Sequence, residues 1–89
     1  MKSQYIKKLH LPDNPGVYIF KDKAGRPLYI GRATSLKDRV KSYFGSDLIE
    51  TRGPILVDMV IKAVNLSFIK TDSVLEAIIL ESNEIKKHL

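Results

Sequence analysis

Two tyrosines stand on either side of a charged turn in Gly16-Val17-Tyr18-Ile19-Phe20-Lys21-Asp22-Lys23-Ala24-Gly25-Arg26-Pro27-Leu28-Tyr29-Ile30-Gly31. A phenol both donates and accepts a hydrogen bond, so two on one surface can orient a hydroxylic or anionic ligand. Further on, Arg39 and Tyr43 are spaced four apart, which makes them neighbours on one face of a helix. Arg32, Lys37, Arg39 and Lys41 fall within ten positions that hold a single acid, Asp38. Glu76 closes Ser73-Val74-Leu75-Glu76, a capping-box pattern. His10 and His88 lie near the two ends of the chain, which gives little support to histidine-centred hydrolysis. The acids are scattered, without the close carboxylate cluster of a two-metal site. Each of these residues also has a plain structural role open to it. The tyrosines suit an amphipathic core, Arg39 a solvated helix face, and Glu76 the cap alone.

The elements that would position these groups follow from pattern. Val17 to Phe20 and Leu28 to Ile30 are rich in β-branched and aromatic residues around a glycine-containing turn, so they read as a hairpin. Side chains alternate across a strand, and a loop with an even number of residues puts Tyr18 and Tyr29 on the same face. Asp22–Gly25 and Lys23–Arg26 both give that parity, whereas a three- or five-residue loop would separate the phenols. Gly31 is compatible with a bend or with the close approach of a ligand backbone. Ser35-Leu36-Lys37-Asp38 starts a helix running to about Phe44, with Leu36, Val40 and Phe44 inward, and Gly45 stops it. Pro54 opens a second helix whose stripe includes Leu56, Met59, Val60 and Ala63. Leu66 to Lys70 reads as a third strand. Asp72 or Ser73 caps a last helix to about Lys87, with Leu75, Ile78, Ile79 and Ile85 available for the core. Residues 1–11 form a basic lead-in of about one helical turn. The order β-β-α-α-β-α predicts an α+β domain, a small three-stranded, mostly antiparallel sheet flanked by helices, spanning residues 1–89 with its core over about 13–88.

The bulk numbers agree. A chain of 89 residues with 44% hydrophobic and 28% charged residues is one ordinary globular domain. The absence of cysteine excludes disulfides and thiolate metal sites and points to a reducing compartment. No stretch is apolar enough for a signal peptide or a membrane span, so a soluble cytoplasmic protein is expected. Fifteen Lys and Arg against ten Asp and Glu give a net charge of +5, which suits a polyanionic partner.

Gly16-Val17-Tyr18, then Tyr29-Ile30-Gly31, then Arg39, Tyr43 and Glu76 in order resemble the GIY-YIG nuclease superfamily. More closely, LPDNPGVYIFKDKAGRPLYIGRATSLKDRVKSYF and TDSVLEAIILESNEIKKH, more than half of the chain, are similar to the N-terminal domains of UvrC, the incision subunit of bacterial nucleotide excision repair. The resemblance implies a metal-dependent DNA endonuclease, with incision on the 3′ side of a lesion. It implies Tyr18, Tyr29, Arg39, Tyr43 and Glu76 as catalytic residues, with a single Mg²⁺ or Mn²⁺ on Glu76. Tyr29 would activate the attacking water, Tyr18 would orient the water or phosphate, and Arg39 would fork onto phosphate oxygens. Arg32, Lys37 and Lys41 would contact DNA, and other excision-repair proteins would be partners of a monomeric domain. Arg32 departs from the pattern, because UvrC-like domains commonly carry lysine there and arginine cannot accept a proton. Two further readings are a non-catalytic nucleic-acid-binding module and a stand-alone GIY-YIG nuclease outside excision repair. A protein-interaction module using the apolar last helix is a third.

Overall fold

The computed structural model describes Met1 through His88, so Leu89, the last residue of the expected domain, lies outside the described residues. The elements are α1 (Ser3–Lys8), β1 (Gly16–Lys21), β2 (Pro27–Ala33), α2 (Leu36–Lys41), a 3₁₀ turn (Ser42–Phe44), α3 (Leu48–Arg52), α4 (Pro54–Lys62), β3 (Asn65–Lys70) and α5 (Val74–Lys87). The sheet order is β2-β1-β3, and both pairings are antiparallel, as the pattern predicts.

β1 is the centre of the structure. Val17, Tyr18, Ile19 and Phe20 are all buried, so the strand is covered on both faces, which explains its unbroken apolar run. Tyr18 and Phe20 point into the main core with Leu36, Val40, Tyr43, Leu48, Met59, Val60, Ala63 and Leu66. Val17 and Ile19 face the other way. Arg32 is the register partner of Val17 and therefore shares its face. Arg32 is ion-paired to Glu81 of α5, so α5 is the helix behind the sheet, against β1 and β2.

Four sequence expectations need revision. The hairpin loop Asp22–Arg26 has five residues, a parity that would separate the phenols. A bulge restores the phase: the register steps from Phe20↔Tyr29 to Lys21↔Pro27, leaving Leu28 as the extra residue. The loop is held by the Asp22 carboxylate, which accepts from the N–H groups of Ala24 and Arg26, both at 2.9 Å. The α2 helix ends at Lys41 and tightens into the 3₁₀ turn, which directs Tyr43 inward and leaves Phe44 only half-buried. Segment 48–52 is helical, although the sequence pattern suggests no helix there. Finally, Leu75, Ile78, Ile79 and Ile85 are not core residues, being 67%, 41%, 55% and 37% exposed. The back of a three-stranded sheet is narrow, and only Ala77 of α5 is fully covered. The lead-in is integrated as well. The Met1 amino group donates to the Val60 carbonyl at 2.8 Å, and Ile6, Leu9 and Leu11 pack on the main core, so packing extends ahead of residue 13.

Candidate active site

Tyr18, Tyr29 and Tyr43 come together on the front of the sheet. The Tyr18 and Tyr43 hydroxyls are hydrogen-bonded at 2.6 Å, and the Tyr18–Tyr29 and Tyr29–Tyr43 ring centroids are 6.3 and 6.2 Å apart. Gly31 makes this possible. It faces Tyr18 across the β1–β2 register, and the Tyr18 ring lies over its bare Cα, where a Cβ would stand 2.5 Å from Cζ. The close approach at Gly31 is therefore made by the domain's own phenol. Gly16 has the same character: a Cβ there would collide with the Ile69 carbonyl and with Leu36 Cδ1, at 2.7 Å from the latter.

The phenols differ in access. Tyr18 and Tyr43 are buried, whereas Tyr29 is only half-buried and is the one solvent reaches. Burial pushes the Tyr18 phenol above its ordinary value of 10, against its bond to Tyr43 and the nearby Arg39, which favour the phenolate. Burial first, and the neighbouring Tyr43 second, raise Tyr29, while Arg39 and Arg52 pull the other way. Tyr43 is pushed up to about 12 by burial and then by Tyr18. All three are neutral phenols at neutral pH in this protein.

Beside the phenols, where β2 runs out into α2, an open hollow of about 480 Å³ is lined by Arg32, Ser35, Asp38, Arg39, Arg52 and Val74, among others. Ser35 positions this side of α2 as its N-cap, accepting from the Asp38 N–H at 3.2 Å and donating to Asp13 at 2.5 Å. Arg52 joins the hollow to the phenols. Its guanidinium donates to the Tyr43 hydroxyl at 3.2 Å and lies 4.9 Å from the Tyr43 ring centroid. Arg52 is not among the residues the sequence singles out, because no local pattern marks helix α3, which carries it.

The expected site is only partly assembled here. Arg32 and Arg39 line the hollow, but Lys37 and Lys41 point to the other side of α2, into a second depression with Ile6, Lys7, His10 and Phe44. The basic run is thus divided between two surfaces. Glu76 is exposed in the first turn of α5, where its N–H donates to the Ser73 hydroxyl at 3.1 Å, half of the capping box. Val74, two residues before it, lines the hollow, whereas Glu76 itself is not among the lining residues. Glu81, two turns beyond Val74, does not line the hollow either and lies behind the sheet. Its carboxylate, 18% exposed, bonds Arg32 at 2.8 Å. A sequence signal for Glu81 exists: Ala77, Glu81 and Glu84 recur at i, i+4 and i+7, placing acids inside the stripe that faces the sheet.

A small antiparallel sheet thus carries packed phenols beside an arginine-lined hollow. The UvrC-like GIY-YIG domain family model matches residues 14–89. UvrABC system protein C of Symbiobacterium thermophilum is 49% identical over 78 residues, 88% of this chain and 12% of that protein. The protein of the same name from Acetivibrio thermocellus is 49% identical over 83 residues, 93% of this chain and 13% of its own length. The chain thus spans about an eighth of the length of these relatives. The crystal structure of the GIY-YIG N-terminal endonuclease domain of UvrC from Thermotoga maritima, bound to its catalytic divalent cation, magnesium, is similar with a TM-score of 0.81. It is 40% identical, over 99% of this chain and 93% of that one. This chain belongs to the UvrC-like GIY-YIG domain family.

Proposed function

We infer that this chain is a metal-dependent endonuclease domain that hydrolyses a phosphodiester bond of DNA, as the incision domain of a UvrC-type repair protein in the bacterial cytoplasm. The observation that carries the reading is the convergence of Arg32, Arg39 and Arg52 on a hollow beside three packed phenols. Three guanidiniums there attract and orient an anionic phosphate with paired donors. Incision on the 3′ side of a lesion, and excision-repair proteins as partners, follow from likeness to UvrC proteins.

The donor set fits a single hard cation. Among the described residues no three His, Asp or Glu side chains cluster, and a cation held by one carboxylate completes its shell with waters and phosphate oxygens. Glu76, in the first turn of α5, would hold it: the cap engages only its backbone N–H, so the exposed carboxylate remains available, whereas the Glu81 carboxylate is committed to Arg32 behind the sheet. When bound, the cation supplies Lewis-acid stabilisation of charge on the phosphate and lowers the pKa of nearby oxygen acids. Tyr29, the phenol that solvent reaches, would first lose its own proton to solvent under the field of the bound cation and the guanidiniums, and as the phenolate would accept the proton of the attacking water. Tyr18 acts through Tyr43: its buried hydroxyl fixes the Tyr43 hydroxyl, which in turn sets Arg52. Arg39 and Arg52 grip the non-bridging oxygens.

The test is nicking of supercoiled plasmid with Mg²⁺ or Mn²⁺ against an EDTA control, together with damage-specific incision when the domain replaces its counterpart in a complete UvrC protein. Metal-dependent nicking abolished by Glu76→Gln is expected. A folded domain that binds DNA but cuts in neither setting is instead a non-catalytic binding module.

A further inference from the structure

We propose that the depression on the other side of α2 from the hollow is a docking site for one unpaired nucleotide of the DNA, with its base on Phe44 and the adjoining phosphates on Lys7, Lys37 and Lys41. The proposal rests on the reading of the domain as a DNA endonuclease and adds the form of DNA that it holds. Its own observation is the make-up of the depression, a space of about 630 Å³ that Ile6, Leu11 and Phe44 line together with the three lysines.

Charge comes first. No acid is among the lining residues, and none of the three lysines is ion-paired among the described residues. Three such ammonium groups on one surface attract a polyanion as point charges, without dictating a fixed geometry. The apolar part of the lining asks for more than phosphate. Phe44 packs partly on the main core and keeps part of its surface in the depression, where the 3₁₀ turn Ser42–Phe44 holds it. A nucleobase offers the flat face that an aromatic ring stacks on, and it comes attached to the phosphates. Within a duplex that face is covered by the neighbouring base pairs, so only an unpaired nucleotide presents it. Nucleic acid fits better than a peptide, because each nucleotide carries both the anion and the flat face. The site is also built before its ligand arrives. The Leu36 and Lys37 N–H groups donate to the Asn14 and Pro12 carbonyls at 2.9 and 3.1 Å, which pins the lead-in against α2. His10, just past α1, turns the chain with a φ of 49° and lines the same depression. Fixed walls lower the ordering cost of binding. Only α2, a helix about 10–12 Å across, separates this depression from the arginine hollow, so the docked base would stand a few nucleotides from the scissile phosphate.

The chain contains no tryptophan, so Phe44→Trp places a single indole in the depression as a fluorescent reporter. The probes are a short oligothymidylate, an abasic strand of the same length and charge, the oligothymidylate paired with its complement, and polyglutamate, all without divalent cation so that nothing is cut. The oligothymidylate is expected to quench the reporter variant, and to bind the wild type about fivefold or more tightly than the abasic strand does. Phe44→Leu keeps an apolar side chain without a ring, and it should lose that preference while still melting cooperatively by circular dichroism. Lys41→Gln should weaken both strands alike, because it removes only a phosphate contact. Equal binding of the normal and abasic strands by the wild type would overturn the docking site. So would quenching by duplex or polyglutamate as strong as by the single strand, or an undiminished base preference in Phe44→Leu. Plasmid nicking with Mg²⁺ separates this from the nuclease reading. Nicking without base preference refutes the docking site alone, whereas a wild-type domain that binds neither strand and does not nick refutes both.

Discussion

Replacing Gly31 with alanine tests whether the phenol cluster is a rigid, close-packed unit. The new Cβ would stand 2.5 Å from Tyr18 Cζ and 3.0 Å from Cε2, and it would press on the Tyr18 hydroxyl as well. That ring cannot simply move away. It is fully buried, with Phe20 at 6.0 Å and Tyr43 at 5.7 Å between centroids, and its hydroxyl is bonded to Tyr43. Forcing a methyl group into such packing costs about 1–3 kcal/mol. Breaking the Tyr18–Tyr43 hydrogen bond adds about 1 kcal/mol, for a total of roughly 2–4 kcal/mol. A domain of this size is stable by roughly 4–13 kcal/mol, so the loss is a large fraction. At about 4–8 °C per kcal/mol, Tm should fall by at least ~8 °C. Urea unfolding followed by circular dichroism gives the free energy directly, with an unchanged m-value if only stability has changed. A loss below about 0.5 kcal/mol would show that Tyr18 can yield and that the cluster is looser than its distances indicate.

Tyr29→Phe removes only the half-buried hydroxyl, so DNA affinity should stay within about twofold while nicking falls by about 10²-fold or more; near-wild-type nicking would move the proton-accepting role elsewhere. Tyr18→Phe should cost about 1 kcal/mol, measured by thermal melting, because the Tyr43 hydroxyl then keeps only its Arg52 contact. The raised phenols also set an alkaline limit. Between pH 10 and about 12 the unfolded chain releases a proton that folded Tyr43 retains, so stability falls as pH rises through that window. A spectrophotometric tyrosine titration on the folded domain should show Tyr18, Tyr29 and Tyr43 ionising above 10. Lys37→Glu should weaken DNA binding and reduce its salt slope by about one while leaving Mn²⁺ affinity unchanged, since Lys37 faces away from the hollow.

Much of the fold was legible because local signals and global packing agree. The apolar run of β1, the Ser35 and Ser73 caps and the Pro54 helix start each force one local choice, and the sheet uses all of them. The shared face of Tyr18 and Tyr29 was foreseen, but for an incomplete reason. A bulge at Leu28 is invisible to a rule that counts only loop residues. The last helix misled more seriously. Its many isoleucines suggest a wide buried stripe, yet the back of the sheet is too narrow to cover them. The acids differ in kind: Glu76 stands out because a cap is a local pattern, whereas the ion pair of Glu81 with Arg32 becomes visible only when α5 is laid against the sheet.

The most direct measurement of the account is an anomalous difference map from crystals soaked in Mn²⁺. The account predicts one strong peak beside a Glu76 carboxylate oxygen, at about 2.1 Å. A peak on Glu81 instead, or a metal-saturated crystal with no peak at Glu76, would contradict it.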